Sequence, residues 1–130
     1  MKNKTDYVCE IVNSSRDFTK REAIAIKDLQ EAISIDKFTE ENGSFTLDAV
    51  DYAELQIHNE HTKRDNPDYT QYVIVDKDGT KYVTGSMSFW SAFVDVFDDL
   101  IGDEGVVSFK VFRKPSTNFA GKSFITCTLL

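Results

Sequence analysis

Residues 69–102, "YTQYVIVDKDGTKYVTGSMSFWSAFVDVFDDLIG", run a β-hairpin almost directly into an aromatic helix, and this constrains the fold more than any other stretch. Asp78-Gly79 marks the turn, because a tight hairpin needs positive φ and glycine adopts it at little cost. Val, Ile and Tyr flank it on both sides, as strands prefer. A two-residue turn pairs Val75 with Tyr82 and Asp76 with Lys81. Tyr82 then shares a face with Val73, Val75 and Thr84, and Tyr72 lies on the other. Alternation leaves open which face is the core. In the helix, Phe89, Phe93, Phe97 and Leu100 recur at helical spacing, and Trp90, Val94 and Ile101 widen the stripe. Such a stripe is a core face. Ser86 or Ser88 caps the start, and Gly102 is placed to stop the helix.

The remaining elements order themselves around this pair. In "SFTLDAVDYAELQIHNE", Ala53, Leu55 and Ile57 alternate with Glu54, Gln56 and His58, the pattern of a half-buried strand. "HTKRDNPD" (61–68) is a polar loop. "GVVSFKVFRK" is a strand with Val107, Phe109 and Val111 on one face, "PSTNFAG" a turn-rich loop, and "KSFITCTLL" a closing strand. Residues 1–18 carry no readable pattern. Thr19 and Glu22 form a capping box, and Ile26, Leu29 and Ile33 follow helical spacing. "AIAI" also alternates, so residues 19–35 stay open between helix and strand. "TEENGS" (39–44) is a loop. The expected fold is mainly β: a five-stranded OB-fold-like barrel with the helix between strands three and four, plugging one end. Residues 1–44 form an N-terminal extension packed on the barrel and 45–130 the barrel itself, one structural domain overall.

Charge is distributed unevenly. Residues 106–130 carry Lys110, Arg113, Lys114 and Lys122 with no Asp or Glu; with that +4 set aside, the net −7 leaves −11 on residues 1–105. Overall acidity argues against whole-surface nucleic-acid binding. A local basic groove escapes this, because charges are screened beyond about 8–10 Å. In an OB barrel the loops after strands one and four bind oligonucleotides together with the face of strands two and three. Those loops hold Lys63 and Arg64, and Arg113, Lys114 and Phe119, with Lys122 at the exit and Lys110 on the strand before. Exposed bases stack on aromatic rings at about 1–3 kcal/mol each, and cations neutralise phosphates. Phe119 is one ring for this, and Tyr82 and Tyr72 are alternatives.

Other chemistry is excluded by what is missing. No Gly-x-Ser-x-Gly, P-loop or dinucleotide fingerprint occurs. His58, Glu60 and His61 in "HNEH" lack the helical spacing of a zinc hydrolase. Cys9 and Cys127 stand at opposite ends without Cys-x-x-Cys, and fit as small buried hydrophobes. The expectation is a non-enzyme with no cofactor, metal or catalytic residue. No apolar run approaches the roughly 18–20 residues of a membrane span, and "MKNKTDYVCEIVNSS" has no leader pattern, so the cytoplasm is the expected location. The run Asp95, Asp98, Asp99, Asp103 and Glu104 is the solvated face of the helix, or a docking surface for a basic partner. A second copy of the chain is a further partner this allows.

At "KYVTGSMSFWSAFVDVF", "RKPSTNFAGKSFITC", "YAELQIHNE" and "YVIVDKDGTKYVTGS" the chain resembles small single-stranded DNA-binding proteins of phages and mobile elements of Gram-positive bacteria. The resemblance covers about residues 22–130. It implies an OB-fold type protein that binds single-stranded DNA, or RNA, during replication or recombination. Bacterial proteins of this activity typically end in an acidic tail that recruits partners; this chain ends "FITCTLL". The resemblance implies that the 95–104 run would then have to recruit a host or phage replication protein, in the host cytoplasm. The alternative is a phage-encoded acidic inhibitor of a host protein.

Overall fold

The computed structural model describes residues 6–116 and 121–130. Within them lie β1 (Tyr7–Ser14), α1 (Lys20–Lys27), β2 (Ile33–Ser34), α2 (Ile35–Asn42), β3 (Ser44–Asn59), β4 (Asp68–Asp76), β5 (Lys81–Thr84), α3 (Met87–Glu104), β6 (Val107–Pro115) and β7 (Ser123–Leu129). The molecule is mainly β, a curled open sheet with three helices among the described residues. The sheet order is β2-β5-β4-β3-β6-β7, with β1 also paired to β3. Among the described residues seven strands are present where five were expected, because β1 and β2 come from the first 44 residues. No helix among the described residues is long and apolar enough to cross a membrane.

β3, β4 and β5 follow one another antiparallel, and β6 returns after α3 to lie beside β3. That spatial order, fourth-first-second-third, is a Greek key. The 16 residues of β3 organise the whole sheet. One edge pairs with β4; on the other, β6 takes residues 44–49 and β1 takes residues 53–59. Opposite β4 the register shifts between Ala49 and Asp51. The extra residue reverses the alternation. Leu47, Ala49 and Tyr52 therefore enter the inner core, while Ala53, Leu55 and Ile57 enter a second core on the outer face.

α3 fills the curl. Phe89, Phe93 and Phe97 are fully buried, and Phe93 packs on Phe109 with ring centroids 4.9 Å apart. Each such ring contributes about 1.5–3 kcal/mol by leaving water. Ser86 Oγ caps the start by accepting from Phe89 N–H. The stop is Gly105, not Gly102: Gly105 has φ +72° and its N–H reaches Ile101 O. A glycine inside a helix costs only about 1 kcal/mol, so α3 runs through Gly102 to the next one.

The N-terminal extension is built differently from the single helix that its spacing suggested. Thr19 and Glu22 do form the capping box of α1, but α1 ends at Lys27, leaving Leu29 beyond it and Ile33 in β2. α2 then starts at Ile35, with Ser34 Oγ accepting from Lys37 N–H, and ends at Gly43 with φ +80°. α1 covers the outer core through Ile26, joined by Phe18 and Leu29 over Val73, Val75 and Val83.

The hairpin keeps its turn at Asp78-Gly79 but slips by one residue from the expected register. Val75 pairs with Lys81 and Ile74 with Tyr82. Asp76 N–H donates to Thr80 O, and the buried Asp76 carboxylate accepts from Asp78 N–H and Asp48 N–H, widening the turn. The slip puts Tyr72 and Tyr82 on the same inner face.

Candidate nucleic-acid interface

Several residues expected to bind nucleic acid have structural partners. Arg113 lies in β6 and reaches across to α2. Its Nη1 donates to Asp36 O at 3.3 Å and to Thr39 Oγ1 at 3.1 Å, and its Nε to Ser123 Oγ at 2.9 Å. Thr84 Oγ1 of β5 donates to Asp36 Oδ2 at 2.9 Å, so α2 is tied to both sides of the curl. Tyr72 is 6% exposed and stacks on Trp90 with centroids 4.7 Å apart. Tyr82 stacks on Phe45 at 5.1 Å. The hairpin register turns both rings inward, Tyr72 into the core and the half-buried Tyr82 against it. The outer face of β4 and β5, where an OB barrel binds its ligand, is covered by α1.

Lys63 and Arg64 are exposed in the loop after β3, with the Arg64 guanidinium 4.4 Å from the Tyr69 ring centroid. That loop and the β6–β7 connection lie at opposite ends of β3, since residue 44 pairs beside residue 112 while residue 59 leads into the loop. At about 3.3 Å per residue the strand between them is on the order of 50 Å long. The two basic loops therefore do not form one cluster. Phe119 lies outside the described residues.

What the register does assemble is the open outer face of β3, β6 and β7. Its rows are Thr46–Lys110–Thr128, then Ser44–Phe112–Thr126, then Lys114–Phe124. Neighbouring strands are about 4.8 Å apart and successive rows about 7 Å. Lys110, Lys114, Phe124, Thr46 and Thr128 are exposed, and Phe112 is half-buried. Lys110 Nζ sits 5.8 Å from the Phe112 ring centroid. Lys122 is exposed at the entrance to β7. The acid of this face is Asp48, one row beyond Lys110. It accepts from Ser108 Oγ at 2.6 Å and pairs with Lys77 Nζ at 3.4 Å. The Ser108 hydrogen bond, with Lys77 beside it, holds its carboxyl below the usual range.

Phe112 and Phe124 are the residues that the sequence pattern left unremarked. Their signal was phase: each is out of step with the buried series of its own strand, Val107–Phe109–Val111 and Ile125–Cys127. An apolar ring on the polar phase of a strand is exposed to solvent or to a ligand.

Most of the other chemically suggestive groups are engaged internally. Tyr52 Oη donates to Asp98 at 2.9 Å, and burial, with Asp98 beside it, pushes the phenol up to about 12. Asp95, Asp99, Asp103 and Glu104 are exposed along α3. His58 bridges Asp68 at 2.7 Å and Glu60 at 3.4 Å, and the two carboxylates raise its pKa. Among the described residues no cluster of His, Cys, Asp and Glu could hold a metal ion. Both cysteines are free, and burial pushes the Cys127 thiol up to about 12, which keeps it protonated and unreactive. A hollow of about 210 Å³ under α1 is floored by Phe18, Ile26 and Val75. Its rim charges are satisfied: Arg16 pairs with Glu22 at 2.6 Å and Asp51 at 3.1 Å, and Lys81 donates to Ala25 O and Asp28 O at the carbonyl end of α1.

Comparison of the chain with protein-family models, with curated proteins and with solved structures finds no match.

Proposed function

We propose that this chain is a non-enzymatic, OB-type binder of single-stranded DNA, acting in phage or mobile-element replication or recombination through the outer face of β3, β6 and β7. One observation carries it: in a protein of net charge −7, a sheet face that the described residues leave uncovered presents two phenylalanines beside two lysines. Rings stack on exposed bases, and lysines neutralise phosphates. The Greek key and the open curl support the OB assignment, since that fold is a partly open Greek-key barrel. β2 and α2 stand at the seam such a barrel leaves.

Fluorescence anisotropy with labelled oligo-dT tests this. The wild type should bind, and Phe112→Ala and Phe124→Ala should each weaken binding by about 1–3 kcal/mol while melting stays near wild type. Folded wild type that leaves oligo-dT free would refute the proposal. The exposed Asp95, Asp99, Asp103 and Glu104 favour a second reading, an acidic surface for a basic host protein. That reading requires a host complex that is lost on Asp95→Lys with Asp99→Lys.

A further inference from the structure

Resting on that reading, we infer that the face holds two nucleotides per chain irrespective of base sequence: Lys110, flanked by Thr46 and Thr128, takes one phosphate, Lys114 takes another, and Phe112 and Phe124 stack the bases between. The register supplies the geometry. Lys110 lies directly between Thr46 of β3 and Thr128 of β7, which places an ammonium and two hydroxyl donors in one row across three strands. Four positions along β6, Lys114 faces Phe124 of β7. The two lysines are about 13 Å apart along the strand, a span of two extended nucleotides. Phe112 lies one row from Lys110, and Phe124 one diagonal step from Phe112, so two bases stack side by side while the backbone runs from one lysine to the other.

Sequence indifference follows from what surrounds the rings. A phenylalanine has no polar atom, and every base has a π face. Base identity is read chiefly by Arg or Lys on guanine, Asn or Gln on adenine and carboxylates on cytosine. Among the described residues, the outward neighbours that the register gives Phe112 and Phe124 are Ser44, Thr126, Lys110 and Lys114; the hydroxyls make single contacts, and both lysines are taken up by the phosphates. Arg113, the one guanidinium on β6, is turned to α2. Asp48, two rows from Phe112, is held by Ser108 and Lys77.

Salt titration of binding to oligo-dT, oligo-dA and oligo-dC of one length tests this. Two neutralised phosphates give a slope of log affinity against log salt of about −1.4, and Lys110→Met or Lys114→Met should each flatten it to about −0.7. Thr46→Val with Thr128→Val should lower affinity several-fold. Lys63→Met with Arg64→Met should leave both slope and affinity unchanged. The three homopolymers should bind within about tenfold of one another, the spread reflecting stacking strength. Lys110 and Lys114 lie on a formed strand and Lys63 and Arg64 in a loop, and all four are solvent-exposed, so melting curves should match wild type. A slope unmoved by both lysine changes, or a hundredfold preference for one base, would overturn the footprint while leaving single-stranded DNA binding intact. Absence of binding to every homopolymer would overturn the binding proposal itself, and the footprint with it.

Discussion

Arg113→Met separates a structural arginine from a phosphate-binding one. The guanidinium makes three hydrogen bonds, to Asp36 O, Thr39 Oγ1 and Ser123 Oγ, and Thr39 is 1% exposed. Hydrogen bonds from a charged donor contribute about 1.5–3 kcal/mol apiece in favourable cases. These three share one partly exposed group and are not additive, so the expected loss is about 2–4 kcal/mol. With a urea dependence of about 2 kcal/mol per molar, the unfolding midpoint should fall by about 1–2 M. Arg113→Lys should recover little, because one ammonium cannot span three separate acceptors as a planar fork does. Oligo-dT affinity, measured well below the melting temperature, should stay within a few-fold of wild type. A variant with the wild-type midpoint and abolished DNA binding would refute the reasoning and return Arg113 to the ligand.

Phe93→Ala should cost about 3–5 kcal/mol by thermal melting, since its fully buried ring contacts aromatic neighbours from α3, β3 and β6; a loss under 1 kcal/mol would mean the helix does not fill the curl. The two glycines of α3 should respond with opposite signs. Gly105→Ala, at φ +72°, should destabilise by about 1 kcal/mol, and Gly102→Ala, helical with open space at its Cβ, should stabilise by about 0.5–1 kcal/mol; equal signs would mean that the helix end is misplaced. His58 has a folded-state pKa above its ordinary 6.5, raised by Asp68 and then Glu60, so protonation is favoured in the folded protein. Its contribution is fully present below about pH 6.5 and is lost as pH rises through the folded value. The stability difference between wild type and His58→Gln should therefore shrink with rising pH, and a difference that grows would contradict the Asp68–His58–Glu60 arrangement.

The elements legible in the sequence were those with a single dominant period. α3 announced itself because four buried positions recur on one face, and β4 and β5 because Asp78-Gly79 divides two β-branched runs. β1 was not legible because Val8 and Val12, on the exposed phase, are as apolar as Cys9 and Ile11 on the covered one. α2 is eight residues long with few apolar positions, and it is held by capping and by the Arg113 and Thr84 contacts, none of which leaves a periodic trace. The hairpin slip depends on Asp76 bonding Asp48, a residue 28 positions away, which no local turn rule contains. The same limit hid the proposed binding face. Lys110 and Lys114 were visible as charges, but the row linking Thr46, Lys110 and Thr128 exists only once three strands from distant segments are in register.

Because β3 runs through both cores, the chain has little means of coming apart in pieces. Residues 53–58 have a strand on each side, β1 and β4, and their side chains turn alternately toward the outer core. Amides of this stretch that point to either neighbour can exchange with solvent only when a whole edge of the sheet leaves. The slowest hydrogen exchange should therefore sit here and equal the global unfolding free energy, while the short α1 exchanges by local opening. Ligand docking on β6 and β7 would then act on the rim of a rigid spine, not on a hinge.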